Sequence, residues 1–568
     1  RRGNVRGEGC GKEDGQSEQG GGEGRGGCRG GKELQGEKHG RKFLQSDVTA
    51  PDANNLLGKI TEKRGDLNEA LALFMRGHKN NPKHLNLLAS LAQLYNKMRD
   101  YDAAASFWQQ YLKLKPYSAD VWQALSCEWY ALRQWDKAEA AARQSVKHAP
   151  KREWAHTNLG QTLLQQQRYD EAIACFRTSL ELNPESADAC YSLAVPMLQK
   201  GDMDQAFTTL NRALELNPCH ADSLSRLLRF KQIDHYNDIV QAAEQAFNSP
   251  IATPEERITI GFGLGKAWED LHDYDRSFAY YAEANRIRRG DWPFDMDHER
   301  NYGEEIKQLF NASFFAEQPV NQASGEDLIF IVGMPRCGST LLAQILATLP
   351  NVIDSGETDL LRETTGRLTS GNIHQLDLAT LKNRPIDKII DAAEQYKGAM
   401  QHLFGESEHY VDKALPNFWL IGVIRTLFPK AKIIHCTRDP RDTCFSIFSN
   451  LFQGAAFNYA YSLQEIGEYY RIYLDLAEHW RKVLPSYTYL EISYESLISD
   501  QESQSRQLVD FCNLEWSDEC LSFYKSKQAV QTSSLAQVRQ PIYNSSIGRW
   551  KRYEKHLQPL IDALGDAA

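Results

Sequence analysis

Prolines recur along the first half of this chain at a constant step of 34 residues, at Pro82, Pro116, Pro150, Pro184 and Pro218. Alanines keep the same step at Ala70, Ala104, Ala138, Ala172 and Ala206. Each alanine lies in a block such as Tyr169-Asp170-Glu171-Ala172, and each proline closes one such as Leu182-Asn183-Pro184. A unit this short cannot bury its own apolar face, so copies must stack and share one elongated core. The alanine lets paired helices approach closely, and the proline cannot continue the second helix. The period therefore predicts a solenoid of helix pairs.

The same period and residues are the signature of tetratricopeptide repeats. Residues 219–252, with Ala242-Ala243-Glu244-Gln245-Ala246, read as a degenerate copy. His272-Asp273-Tyr274-Asp275-Arg276-Ser277 revives the motif, with Ser277 in the alanine slot. Repeats are expected over 49–290, five regular and one or two degenerate, followed by a helical linker over 291–325. Tyr101, Trp135 and Tyr169 share one repeat position and are expected to pack between helices. The concave face of such a stack is a groove suited to a protein or peptide. Residues 1–48 are different in kind. Fifteen glycines in the first forty positions leave little apolar surface to offset chain entropy, so a disordered tail is expected.

From 326 to 568 the pattern changes to short β-rich runs (328–332, 409–411, 432–435, 487–492) separated by helical stretches at 341–349, 386–403, 415–428 and 463–483. This alternation predicts a three-layer α/β domain with a parallel sheet, whose ligand sits at the carboxyl ends of the strands. The first run feeds Gly333-Met334-Pro335-Arg336-Cys337-Gly338-Ser339-Thr340. That is the frame of a phosphate-binding P-loop, GxxxxGK[ST], with Ser339 where the lysine would stand. Backbone N–H groups and a helix N-terminus would still cradle an anion. The missing lysine argues against a nucleoside triphosphate, and so against a kinase or NTPase.

Three further segments carry polar residues that a core does not need. Glu357 follows a glycine in a loop able to fold back over the anion, and Lys413 ends a strand in Tyr410-Val411-Asp412-Lys413. Arg438 ends another strand with Ser446 eight residues later, an arginine fork and a hydroxyl that suit a second phosphate. A structural Arg438–Asp442 ion pair is the competing reading. The net charge of −10 argues against a general nucleic-acid binder. Eleven cysteines with no CxxC pair, and no HExxH, give no expectation of a metal site or disulfide framework, and a cytoplasmic location is expected. Arg1 is not a methionine, which leaves a preceding targeting segment open. No apolar run reaches the roughly 18–20 residues of a membrane span.

Taken in order, these motifs resemble the PAPS-dependent sulfotransferases, PAPS being 3′-phosphoadenosine 5′-phosphosulfate. The likeness is greatest to the protein-tyrosine sulfotransferases and to bacterial proteins that join tetratricopeptide repeats to such a domain. The resemblance implies that Arg336, Cys337, Gly338, Ser339 and Thr340 hold the 5′-phosphosulfate, and that Arg438 and Ser446 hold the 3′-phosphate. It implies that Tyr494 contacts the nucleotide, that the segment with Ser534 and Arg539 closes over the donor, and that Arg549 lies near the 3′-phosphate. Glu357 matches the catalytic base. Arg336, Lys413 and Ser534 match the groups that stabilise the transition state, with no metal required.

The family pattern is departed from in three places. Cys337 replaces a serine or threonine, and at a helix N-terminus its thiol is expected to be acidified and oxidisable. Asp359 and Glu363 stand where protein-tyrosine sulfotransferases carry arginines, which counts against a preference for acidic tyrosyl peptides. Asn450 replaces a basic donor contact. Protein tyrosine is the acceptor the resemblance favours. A saccharide, lipid or small-molecule hydroxyl, and a repeat scaffold with an inactive domain, are the alternatives.

Overall fold

The computed structural model describes residues 42, 47–291, 294–317, 325–369, 378–452, 455–525, 542 and 546–568. The expected tail therefore lies almost wholly outside the described residues. The chain forms two compact units, one running to Leu216 and the other from Asn217 to Ala568, with the turn Gln199–Gly201 grouped with the second.

Among the described residues the first unit is five helix pairs: Pro51–Lys63 with Leu67–Asn80, Leu85–Lys97 with Tyr101–Leu114, Ala119–Ala131 with Trp135–His148, Glu153–Gln165 with Tyr169–Leu182, and Ala187–Lys200 with Met203–Leu216. All five periodic alanines are fully buried. The reason for a small residue extends to the partner helix. A Cβ on Gly58 would lie 2.3 Å from the Phe74 ring, and one on Gly160 would lie 2.8 Å from Phe176. The tight turn inside each pair is left-handed at Gly65, Arg99, Arg133, Gln167 and Gly201, again in steps of 34. Trp135 packs edge-on against Tyr130 and Tyr169 is buried, in keeping with packing roles.

The second unit opens with helices Ala221–Phe230, Asp238–Phe247, Pro254–Asp270 and Tyr274–Asp291. The last two form a hairpin in the repeat register. A Cβ on Gly265 would lie 2.5 Å from Tyr281, the same sixteen-residue spacing as Gly58 to Phe74. Ser277 is fully buried in the alanine slot and donates to the Gly265 carbonyl at 2.6 Å. Helix Met296–Leu309 then leads to the sheet.

The sheet has five parallel strands: β1 Leu328–Gly333, β2 Val352–Asp354, β3 His409–Asp412, β4 Lys432–Thr437 and β5 Tyr489–Ser493, in the order β2-β3-β1-β4-β5. β1 is buried along its whole length. Alternate side chains serve opposite layers, as the strand period requires. Leu328, Phe330 and Val332 join one core with helices Ile386–Phe404 and Leu463–Val483. Ile329 and Ile331 join the other with helices Ser339–Leu346 and Gln501–Phe511. Every crossover is made by helices, so all carboxyl ends lie along one edge.

Candidate active site

That edge collects the candidate residues strand by strand. Reading across the sheet, Glu357 follows β2, Lys413 follows β3, Arg336 follows β1, Arg438 follows β4 and Tyr494 follows β5. The chain order of the motifs and their spatial order differ, and only the sheet brings Lys413 and Arg438 to either side of the glycine-bounded loop.

The loop is built by close approaches. Gly333 has φ +148° and a Cβ there would lie 2.5 Å from the Cys436 carbonyl oxygen. Gly338 has φ +106° and a Cβ there would lie 2.5 Å from Tyr494 Cδ2. Between them Arg336 is held at φ +70°, a conformation costing an L-residue roughly 1–2 kcal/mol. Its Nε donates to Ser446 Oγ at 3.1 Å, and its carbonyl accepts from Arg438 at 3.0 Å. Helix Ser339–Leu346 starts at once, with Gly338 as its N-cap.

Arg438 also donates to the Ser546 carbonyl at 2.6 Å, and its guanidinium lies 4.8 Å from the centre of the Tyr494 ring. Its Nε is buried with no hydrogen-bond partner. A buried charged donor left open in this way fits an anion that the protein itself does not supply. Asp442 makes no ion pair with Arg438. The chain turns at Asp439-Pro440 to start helix Pro440–Phe448, so the four-residue spacing does not lie on one helix face. Asp442 instead accepts from the N–H groups of Gly548 and Trp550 at 2.6 and 3.0 Å. Ser446 is buried on that helix, and Asn450 Nδ2 donates to its carbonyl at 2.7 Å.

On the other side, Lys413 is buried and its Nζ donates to Glu357 Oε1 at 2.8 Å. Backbone bonds beyond the strand ends bring the two together: Lys413 N–H to the Gly356 carbonyl at 3.0 Å, and Ser355 N–H to the Val411 carbonyl at 2.9 Å. Below them, burial raises the Asp412 carboxyl to about 6, against the pull of hydrogen bonds from Ala414, Tyr396 and Asn417. Burial likewise raises Asp354, which the Lys413 charge pulls back down.

Cys337 is buried, and Cys436 Sγ donates to its carbonyl at 3.2 Å. Burial tends to raise the Cys337 thiol, but hydrogen bonds from Cys436 and Ser339 and the charge of Arg438 leave it below the ordinary range. Arg549 is half-buried, with its fork on Glu269 and one nitrogen on Ser449 Oγ at 2.9 Å. Ser534 and Arg539 lie outside the described residues. Sequence reasoning missed Glu269 and Ser546, and the backbone N–H groups that Asp442 holds, since each depends on a partner about a hundred or more residues away. It also missed β2, three residues long and too short for a periodicity signal.

Among the described residues no group of three His, Cys, Asp or Glu side chains gathers as a metal site, and no helix is long and apolar enough to cross a membrane.

Comparison with known proteins follows the same division. Residues 327–518 match the sulfotransferase family model, and residues 153–186 and 187–219 match tetratricopeptide repeat models. The chain is 31% identical over 340 residues to an uncharacterized protein of Aquifex aeolicus, covering 57% of this chain and 44% of that one. It is 26% identical over 240 residues to protein-tyrosine sulfotransferase 1 of Danio rerio, covering 39% of this chain and 65% of that one. The chain thus spans less than two thirds of either relative. Among solved structures, the TPR protein YrrB aligns with 33% of this chain and 96% of its own, at 19% identity and a TM-score of 0.30. The family models thus place a sulfotransferase-family region at 327–518, after tetratricopeptide repeats at 153–219.

Proposed function

We propose that this protein transfers a sulfuryl group from PAPS to an acceptor hydroxyl, that of a protein tyrosine, and that the repeats recruit the protein substrate or partner. The observation that carries this reading is the line of Glu357, Lys413, Arg336, Arg438 and Tyr494 at the carboxyl ends of five adjacent parallel strands. An acid–base pair stands on one side of a glycine-bounded anion loop, and a guanidinium with an open buried donor on the other. A ligand with one phosphosulfate and one separate phosphate matches that division. A triphosphate does not.

Bound PAPS supplies an activated sulfuryl group on its 5′-phosphate. Backbone N–H groups of 336–340 would hold that phosphate, Arg438 and Ser446 the 3′-phosphate, and Tyr494 would pack on the nucleotide. Glu357 would accept the proton of the acceptor hydroxyl as its oxygen bonds to sulfur and the bond from sulfur to the 5′-phosphate oxygen breaks, releasing adenosine 3′,5′-bisphosphate; the base's role is worth about 10²–10⁴ in rate. Lys413 and Arg336 would stabilise negative charge growing on the oxygens around sulfur, each worth a few kcal/mol in a water-poor site. The relatives named as protein-tyrosine sulfotransferases support tyrosine as the acceptor. Asp359 and Glu363, on and beside the first turn of helix Leu360–Leu368, predict that acidic flanking residues are not required.

The test is incubation of the full chain with radiolabelled PAPS and a panel of tyrosyl peptides, glycans and phenols, comparing wild type with Glu357→Ala. Label should pass to a tyrosyl peptide and fall by at least about 10²-fold in the variant. Transfer untouched by the substitution removes Glu357 as base, and a wild type that binds no donor removes the enzyme reading.

A further inference from the structure

Arg549 reaches the nucleotide end of the site already engaged. Its Nε donates to Glu269 Oε1 at 2.6 Å, a terminal nitrogen bonds Glu269 Oε2, and the other donates to Ser449 Oγ at 2.9 Å. Glu269 belongs to helix Pro254–Asp270, the first arm of the hairpin that keeps the repeat register. Its side chain is 13% exposed and that of Arg549 20%. Solvent therefore screens this pair far less than a surface ion pair. Phe445 lies 4.8 Å beneath the guanidinium, so the planar fork is fixed by both its hydrogen bonds and its face.

From Arg549 two routes of contact lead into the donor site. Along the first, Ser449 Oγ donates to the Ser446 carbonyl at 3.3 Å, and Ser446 Oγ accepts from Arg336 Nε at 3.1 Å. Along the second, the segment around Arg549 is pinned by Asp442 through the Gly548 and Trp550 N–H groups, and its Ser546 carbonyl accepts from Arg438. A carboxylate from the helical hairpin thus closes a set of bonds that ends on both arginines of the anion site.

We infer that Glu269 is a positioning residue for the 3′-phosphate end of the donor site, holding Arg549 and its segment so that Arg438 and Ser446 keep a phosphate-binding geometry. The inference rests on the sulfotransferase reading above. Glu269 also has the Arg552 guanidinium 3.9 Å away, but it acts on the donor site through Arg549 and touches no substrate. The hairpin that the sequence groups with the repeats becomes, on this view, a working part of the donor site. Where supporting partners of a binding group have been removed, at metal sites, the loss is typically about 10–100-fold.

The experiment compares adenosine 3′,5′-bisphosphate with adenosine 5′-monophosphate on the full chain by titration calorimetry, for wild type, Glu269→Gln and Ser449→Ala. Wild type should prefer the bisphosphate. Glu269→Gln keeps the shape and one acceptor oxygen, and should cut that preference by about tenfold or more. Monophosphate affinity should stay within about twofold, and KM for PAPS should rise while KM for the acceptor holds. Ser449→Ala leaves the buried pair intact and should cause a smaller loss of the same preference. A purely structural role would lower the melting temperature and leave the preference unchanged. Unchanged preference, or tighter bisphosphate binding, in Glu269→Gln overturns the inference. Should that variant not fold, unchanged preference in Ser449→Ala overturns it. A wild type with no preference for the bisphosphate overturns the sulfotransferase reading as well.

Discussion

Replacing Glu357 by alanine and Lys413 by methionine should damage sulfuryl transfer alike but stability unequally. The pair is lopsided: Lys413 is 1% exposed and Glu357 49%. Glu357→Ala strands an ammonium with almost no water around it. Breaking a fully buried pair this way costs about 3–5 kcal/mol. Two features reduce that here. Half of Glu357 is already in water, and buried Asp354 still draws the ammonium after the partner is gone. About 1–2 kcal/mol is left, a fall of about 1–3 °C in Tm for a unit of this size. Lys413→Met instead removes the buried charge and keeps an apolar chain of similar length, while Glu357 turns to solvent. Its Tm should stay within about 1 °C of wild type or rise. Transfer should fall about 10²–10⁴-fold without the base and about 10²–10³-fold without the lysine. Circular-dichroism melts and labelled transfer from PAPS to a tyrosyl peptide measure both quantities. A Lys413→Met protein that melts as far below wild type as Glu357→Ala would refute the burial argument.

Three further outcomes can be checked separately. Gly338→Ala places a Cβ 2.5 Å from Tyr494 at φ +106°, displacing the ring on which Arg438 stacks, and should weaken bisphosphate binding about tenfold or more by calorimetry. Iodoacetamide should label Cys337 ahead of Cys436, whose thiol is pushed well above the ordinary range by its bond to Cys337 and by burial, and bound bisphosphate should protect Cys337; mass spectrometry that finds no label on Cys337 under any condition counts against an acidified thiol. In the repeats, burial raises Glu128 to about 7 although Asn96 and Trp108 donate to it. A raised acid pKa means that the folded form holds its proton longer, so this contribution is whole below about 4.5 and is lost as pH rises through about 7. The repeats should therefore lose on the order of 3 kcal/mol between pH 5 and 8, and Glu128→Gln should flatten that slope in urea melts.

The repeat architecture was legible because its signal is local and recurs: alanines and prolines in phase mark helix contacts and helix ends in each copy. The left-handed turn at 65, 99, 133, 167 and 201 has the same period but was silent, since Gly, Arg, Arg, Gln and Gly share no side-chain chemistry. In the second domain motif and strand-end position singled out the two glycines, Glu357, Lys413, Arg438 and Ser446 as candidates, and the strand order sets the loops that carry Glu357, Lys413 and Arg438 along one edge of the sheet. The competing reading, an Arg438–Asp442 ion pair, failed for a geometric reason. A four-residue spacing joins charges only inside a helix, and Arg438 stands before the helix starts.

By itself, then, the sequence determined which residues carry charge and where strands and helices fall, because periodicity and short motifs report on neighbours along the chain. The tertiary structure alone decided how those pieces meet. It put the loop after β1 between Lys413 and Arg438, as follows from the strand order and not the chain order. It gave Asp442 two backbone N–H groups to hold and closed Arg549 onto a carboxylate 280 residues away. An ion pair between distant residues leaves no pattern in a single sequence, since its free energy exists only once packing has brought the two groups together and taken them out of water.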